Sequence, residues 1–526
     1  MNILIILFPT QLFEMKYIEK IIEDCKKNII LHICLWENSY FFTKYLYHKK
    51  KLIFHRASMK YYYDLLPKKY KKIYVEYLND QTINEYIKKN KIEQIRFFNP
   101  IEKELINLIM ENKIFTNIMK HIYPSPYFLN STNFSINEDL KLNLKNLKHV
   151  EFYKSQRIKY KIMIKNENNN IVPEGSKWSF DTENRKPFEK NQIEPKLLEL
   201  KSEIRIKYLN EAKKYINKNF SNHYGEDNLD NFIYPINRKE SIKWLENFIT
   251  MKLENFGKYE DAMSSKIKFG FHSVLSPMLN IGLITSLDII TYIKEYKSTN
   301  KNLLASKEGF IRQVIGWREF CYFTYDLFGN KLETTSLYNK ISDKTHKITY
   351  KIPNKIWISN TQIPPIDDIL EKVNIYGYSH HIERLMGIGN FLILIRCDIK
   401  SIYNWFQTMY IDAYDVFMTP NIYGMLGFGK LDEIHHMMTR PYFASSNYIM
   451  KMSNYKSTNL VSIDNTIYKW DEILDALFWS HVDKYSSEFK KNYSTSSMVA
   501  KWNNFDTNKK KNIKKLTEIY ISWIHK

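Results

Sequence analysis

The sequence predicts an α/β amino-terminal domain followed by an all-α carboxy-terminal domain, and three observations predict it. Short apolar runs alternate with amphipathic stretches over residues 1 to about 130, helical spacing takes over beyond about 200, and the stretch between is polar and irregular. At 526 residues the chain exceeds one ordinary core, which agrees with two or more domains.

Ile3–Phe8, Ile29–Leu35, Lys72–Tyr77 and Gln94–Phe98 read as strands, with Tyr17–Lys27, Met59–Leu66, Ile83–Lys89 and Glu102–Asn112 as helices between them. Such a βαβα rhythm implies a parallel sheet with helices on its faces, and ligands in such sheets sit outside the carboxyl ends of the strands. The first glycine of the chain is Gly175. A GxGxxG turn or a Walker A loop needs glycine so that backbone N–H groups can approach phosphate, so this domain is not a standard dinucleotide or nucleoside-triphosphate site. From 131 to 200, Asn130-Ser-Thr-Asn133, Asn166-Glu-Asn-Asn-Asn170 and Pro173-Glu-Gly175 mark a linker or a functional loop. Over 201–526, Pro277–Ile293, Gly309–Leu327 and His380–Ile395 carry apolar residues at three- and four-residue steps, and no internal repeat is present.

Lys plus Arg number 78 and Asp plus Glu 57, a net charge of +21. That excess favours a polyanionic partner, most often nucleic acid; the competing reading is a surface whose solvated faces are filled with lysine. Cys25, Cys34, Cys321 and Cys397 show no CxxC spacing, which reads as buried thiols in a reducing compartment. The apolar start Met1–Pro9 reads as a first strand, and no run of about 20 apolar residues predicts a membrane span. A soluble, intracellular protein is expected.

Four segments carry side chains suited to chemistry. Ser273 and Ser276 precede Pro277 and an apolar helix, where hydroxyls cap exposed N–H groups or share them with a phosphate. Arg312, Gln313, Arg318 and Glu319 lie on an otherwise apolar helix, costly to bury unless paired or used by a ligand, and Gly316 among them admits a backbone or a flat ring. His380 and His381 point in different directions if helical, so they do not share a metal; one facing a cleft is an acid or base near neutral pH, the other reading being a structural histidine. The dense aromatics around Trp405 and Tyr414 suit core packing, or stacking on a flat cofactor and electron transfer.

Together, HSxLSP at 272–277, GFIRQxIGWREF at 309–320, YxHHIxRLMxxGNF at 378–391, DAYxxxxxPNxxGM at 412–425 and NYIxxMS at 447–453 resemble the photolyase–cryptochrome superfamily. WxFDxENRxP at 178–187 resembles one branch of it, the iron–sulfur bacterial cryptochromes and prokaryotic (6-4) photolyases, also described as deoxyribodipyrimidine photolyase-related proteins. The resemblance spans essentially the whole chain. It implies a photolyase-like architecture: a Rossmann-like α/β antenna domain (1–130), a connector (131–200) and a helical FAD-binding catalytic domain (201–526). It also implies a light-driven photolyase acting on UV-damaged DNA as a monomer. The alternatives are a cryptochrome-type blue-light photoreceptor without repair activity and a DNA-binding module that has lost FAD.

By the same resemblance Ser273, Leu275 and Ser276 would meet the flavin diphosphate, and Gln313, Arg318 and Glu319 would lie along the cofactor. Asn390, Asp412 and Asn421 would lie near its ring or ribityl chain. His380 and His381 match the branch's paired histidines and would serve catalysis, which favours (6-4) photoproducts over cyclobutane dimers. Trp405 would stand next to the flavin in a photoreduction chain and Trp357 further along, with Phe406 where a tyrosine is common between them. A ribityllumazine antenna would use Gln11 and Glu37; Thr10 replaces an acidic residue there, so an altered site and an empty one are both open. The branch's four cluster cysteines are missing: Tyr455-Lys-Ser-Thr-Asn459 follows the NYIxxMS run, and Pro365 and Glu472 stand at the other two places. No iron–sulfur cluster and no metal ligand is therefore expected, and packing around Trp470, Phe478 and Trp479 would hold the region.

Overall fold

The computed structural model describes residues 1–526 apart from 24–28, 78, 117, 132–146, 341–349 and 431–433. Strands β1 (Asn2–Leu7), β2 (Ile30–Trp36), β3 (Lys71–Val75), β4 (Gln94–Phe98) and β5 (Met119–Tyr123) form a parallel sheet of order β3-β2-β1-β4-β5. Ile3–Leu7 of the central strand are fully buried, as an unbroken apolar run covered on both faces requires. The sequence reading missed β5, whose Met-Lys-His-Ile-Tyr is an edge strand with mixed exposure and no clean alternation. The first helix is shorter than expected, Met15–Lys20, and Cys25 lies outside the described residues, as does Asn133.

The helix expected over Met59–Leu66 runs instead from Lys49 to Leu65. Its first turn is Lys-Lys-Lys, which reads as solvated surface. Two of these lysines are buried in the seam against the helical domain, where Lys51 Nζ donates to the Ala413 carbonyl at 2.6 Å and Lys50 Nζ to that of Ile375. His48 Nε2 donates to the Asn374 carbonyl at 2.9 Å, and His55 Nε2 meets the Tyr414 hydroxyl at 2.8 Å. Gly225 (φ +75°) lies so close to the His48 ring that a Cβ would sit 2.1 Å from Nε2.

One expectation needs correction. The connector is not irregular throughout: it holds a helix, His149–Lys159, and a hairpin of β6 (Ile164–Glu167) and β7 (Asn170–Pro173). The turn residues Asn168 and Asn169 both have positive φ, the conformation a two-residue hairpin turn demands and asparagine tolerates. The carboxy-terminal domain is mostly helical as expected, with one small hairpin in which β8 (Leu460–Ile463) and β9 (Thr466–Lys469) pair through Asp464-Asn465 by the same device. This hairpin follows directly on Tyr455–Asn459. Beside it Trp470 is fully buried and donates from Nε1 to the Lys456 carbonyl at 2.9 Å, while Trp479 stacks on Trp502.

The segment Pro277–Ile293 is two helices, Ser276–Asn280 and Ser286–Glu295. Gly282 separates them at φ +83°, where a Cβ would fall 2.6 Å from the Phe13 ring, and a Thr285–Asp288 capping box starts the second. Three π-helical turns, Arg312–Arg318, Glu383–Gly389 and Thr419–Leu426, interrupt the other helices of this half. Among the described residues no helix is long and apolar enough to cross a membrane.

Candidate functional site

All three π turns border one cavity of about 790 Å³ in the helical domain. A π turn carries an extra residue per turn and rotates the side chains that follow it, which suits walls that must present several polar groups to one space. The first turn contributes Gln313, Trp317 and Arg318, the second Arg384, and the third Asn421 and Met425. Ser273, Leu275 and Ser276 enter from the loop and short helix ahead of Gly282, and Asp412 from the loop after Met409. Apolar side chains, Phe406 and Phe417 among them, line much of the rest, with further charged groups such as Asp181, Glu260, Asp261 and Arg312.

The polar part is a tied network. Asp412 accepts two bonds from Arg384, at 2.9 and 3.0 Å, and one from the Ser276 hydroxyl at 2.5 Å. Burial opposes the Arg384 charge, but Asp412 outweighs it and holds the guanidinium pKa above its ordinary value. Arg318 is buried between the rings of Tyr127, Phe128 and Phe417, and its Nε and Nη2 have no hydrogen-bond partner. Its Nη1 donates to Asn280 Oδ1, and a buried guanidinium only partly satisfied in this way, beside serine hydroxyls and an apolar wall, fits a ligand with one anionic and one flat part. Asn421 accepts from Trp317 Nε1 at 3.3 Å and donates to the Phe417 carbonyl at 2.8 Å.

Three histidines gather at one end. The His272 and His380 rings stack at 4.4 Å with 8° between planes, and His381 stands edge-on to His272 at 5.6 Å. Burial pushes the pKa of His272 and of His380 well below the ordinary imidazole value, and neighbouring cationic groups push them further, so both are neutral. His381 differs. Its side chain is 46% exposed and its Nε2 lies 3.5 Å from Asp261 Oδ1. Burial lowers its pKa, but the Asp261 hydrogen bond and the Glu260 and Asp261 charges more than reverse this, so the pKa is raised. One end of the cavity thus sets a protonatable imidazole beside two neutral ones.

Comparison with known proteins places this geometry. Residues 5–234 match the family model "Deoxyribodipyrimidine photo-lyase-related protein". A protein of Agrobacterium fabrum named (6-4) photolyase is 30% identical over 358 residues, covering 68% of this chain and 67% of its own. The chain belongs to the photolyase-related family. Its fold is that of a bacterial class III photolyase from Agrobacterium tumefaciens (TM-score 0.52, 13% identity, 86% of each chain). It is equally that of a Synechocystis cryptochrome (TM-score 0.56, 16% identity, 86% of this chain and 88% of that one).

Within this photolyase-related chain, Ser273, Leu275, Ser276, Gln313, Arg318, Asp412, Asn421 and His381 line the cavity. Glu319 does not. It is buried on the neighbouring helix face, where it accepts from the backbone N–H groups of Leu129 and Asn130 at 3.0 and 3.2 Å and clamps the start of the connector. Asn390 also stands behind the wall, its amide bonded both ways to the Ala444 backbone at 3.0 and 3.1 Å. Gly316 admits a flat ring as expected, those of Tyr153 and His149.

The aromatic order is also corrected. Phe406, not Trp405, lines the cavity; Trp405 packs behind it at 5.2 Å and touches Trp357 directly at 6.5 Å, so Phe406 does not separate the tryptophans. Tyr224 stacks on Trp357 at 4.1 Å. In the α/β domain, Gln11 and Glu37 are buried and already engaged. Gln11 Nε2 donates to the Phe98 carbonyl at 2.8 Å, and Glu37 accepts from Arg56 at 2.9 Å and from the Tyr74 hydroxyl at 2.5 Å. An antenna there would have to break these bonds.

The histidine geometry corrects a further point. His380 precedes the helix and His381 opens it, so regular helical spacing does not apply and both come within 4.8 Å of a ligating nitrogen of His272. His272, Asp261, Glu260 and Arg384 are site residues the sequence reading missed. His272 and Arg384 sat inside the quoted motifs, whereas nothing in the pattern around Asp261 marks it.

Proposed function

We propose that this protein is a light-driven DNA photolyase that holds reduced FAD in the cavity and restores UV-fused pyrimidines, (6-4) photoproducts in preference to cyclobutane dimers. The observation that carries the reading is the half-exposed His381 at the end of the cavity, 3.5 Å from Asp261, which with Glu260 favours its protonated form. Family membership and the similarity to a protein named (6-4) photolyase support it.

Ser273, Ser276, Arg318 and Arg384 would hold the diphosphate, Gln313 and Asn421 would lie along the flat part, and Leu275 would pack against it. When bound and excited, reduced flavin supplies one electron to the lesion and regains it. His381 does the rest. With Nε2 engaged by Asp261, its other ring nitrogen would give a proton to the C5 oxygen of the lesion; that oxygen passes back to C4 of the neighbouring base as the bond joining the two rings breaks, and the proton returns to His381 once the bases are restored. Splitting a cyclobutane ring needs no such proton, which is why this residue separates the two lesions. Trp405, Trp357 and Tyr224 offer oxidisable rings leading away from the cavity wall, and the +21 charge serves the phosphate backbone. Extruding a damaged pair is cheap because it stacks poorly.

The test is repair under blue light of two oligonucleotides, one per lesion. We expect loss of the (6-4) lesion, and its abolition in His381→Ala with flavin content unchanged. Full (6-4) activity in the variant would remove His381 from the mechanism. Flavin reduction with neither lesion lost would identify a cryptochrome-type photoreceptor, and a colourless protein a DNA-binding module without flavin.

A further inference from the structure

We propose that His272, His380 and His381 form a site for one borderline transition-metal dication, with Zn2+ as its representative. The ligating nitrogens of the three side chains lie within 4.8 Å of one another. They come from two separate segments, the loop before the Ser276 helix and the start of the Glu383 turn.

The tautomers favour coordination. His272 bonds the backbone of Glu260 through one nitrogen, and its Nε2 is buried without a partner. His380 turns Nε2 toward Glu383 Oε1 at 3.4 Å, and its Nδ1 is buried without a partner. Glu383 is itself fixed, by the Lys372 ammonium and by the His380 N–H at 3.1 Å. Each imidazole is thus anchored on a protein oxygen at one nitrogen, which leaves a lone pair at the other. Metal-binding histidines are oriented in this way by carbonyls and carboxylates behind them.

His381 supplies the third nitrogen, and Asp261, 3.5 Å from its ring, stands ready as an oxygen ligand to complete a tetrahedron. Zinc–nitrogen bonds of about 2.0–2.1 Å place tetrahedral ligands roughly 3.3 Å apart. Closing the site therefore needs approaches of up to about 1.5 Å and a tilt of one stacked ring, and half-exposed His381 has the freedom to move. Binding does not rest on the repair reading, since it is measured in the dark and without DNA.

The experiment titrates the untagged, full-length protein as purified with Zn2+ against a chromophoric chelator at pH 7.5. We expect one equivalent bound at or below micromolar concentration, weakened at least tenfold in His381→Ala and at least a hundredfold in His272→Ala. Circular dichroism and thermal midpoints report whether each variant folds; should His272→Ala fail to fold, the cavity-facing His381→Ala decides. No stoichiometric binding by the wild type, or binding that survives His381→Ala unchanged, overturns the site.

Discussion

Asp261 governs the charge of His381 by facing its ring, while Glu260 adds a second negative charge and Arg312 and burial oppose them. A raised imidazole pKa means the proton is held to higher pH and is lost as pH rises through it. Repair by a protonated His381 should therefore decline on the alkaline side, and Asp261→Asn, which keeps the shape and removes the charge, should move that decline to lower pH. A pH–rate profile of (6-4) repair reads this; an unmoved alkaline limb would release Asp261 from the positioning role. The residue scale also shows what motifs can carry. The runs around Ser276, Arg318, His381 and Asp412 led to the cavity because each holds its polar group at a fixed place on a wall. Glu319 went elsewhere because the backbone N–H groups of Leu129 and Asn130 hold its carboxylate on the far side of the helix. Asp261 was invisible because only the folded chain sets it opposite a histidine 120 positions away.

Among the elements, the strands were legible and the breaks in helices were not. Four of five sheet strands follow from their apolar runs, since a strand buried on both faces has little else to show. Each π turn leaves the apolar spacing nearly intact and reads as continuous helix. The hairpins did carry a signal, Asn168-Asn169 and Asp464-Asn465, but two such residues among many Asn-rich stretches are easily passed over. Gly282 marks the clearest break. Gly282→Ala would force a side chain into positive φ and against the Phe13 ring, and should destabilise the protein by about 1–3 kcal/mol, measured as a lower denaturation midpoint in urea. An unchanged midpoint would mean that the loop relaxes away from Phe13.

Across the whole molecule, the two halves meet through buried basic groups. His48 donates from Nε2 and accepts from the Lys50 N–H at Nδ1, so it has no place for a second proton, and burial lowers its pKa to about 4. The unfolded chain binds that proton near pH 6.5. The seam should thus be intact at neutral pH and weaken as pH falls from about 6.5 toward 4, by at most about 3 kcal/mol from this residue. Urea midpoints at pH 7 and 4.5 for wild type and His48→Gln measure it, and equal pH dependence in both would assign the effect elsewhere. The net charge of +21 pointed toward a polyanion, yet Lys50 and Lys51 serve the interior instead.

Ammonium groups that donate to carbonyls on the opposite half make the two halves poor candidates for separate lives. Cut between them, each would expose a surface that the other was shaped to satisfy: dry lysines without oxygens on one side, backbone oxygens without donors on the other. A protease that nicks the connector should therefore leave the fragments clasped together, migrating as one particle until acid or denaturant parts them.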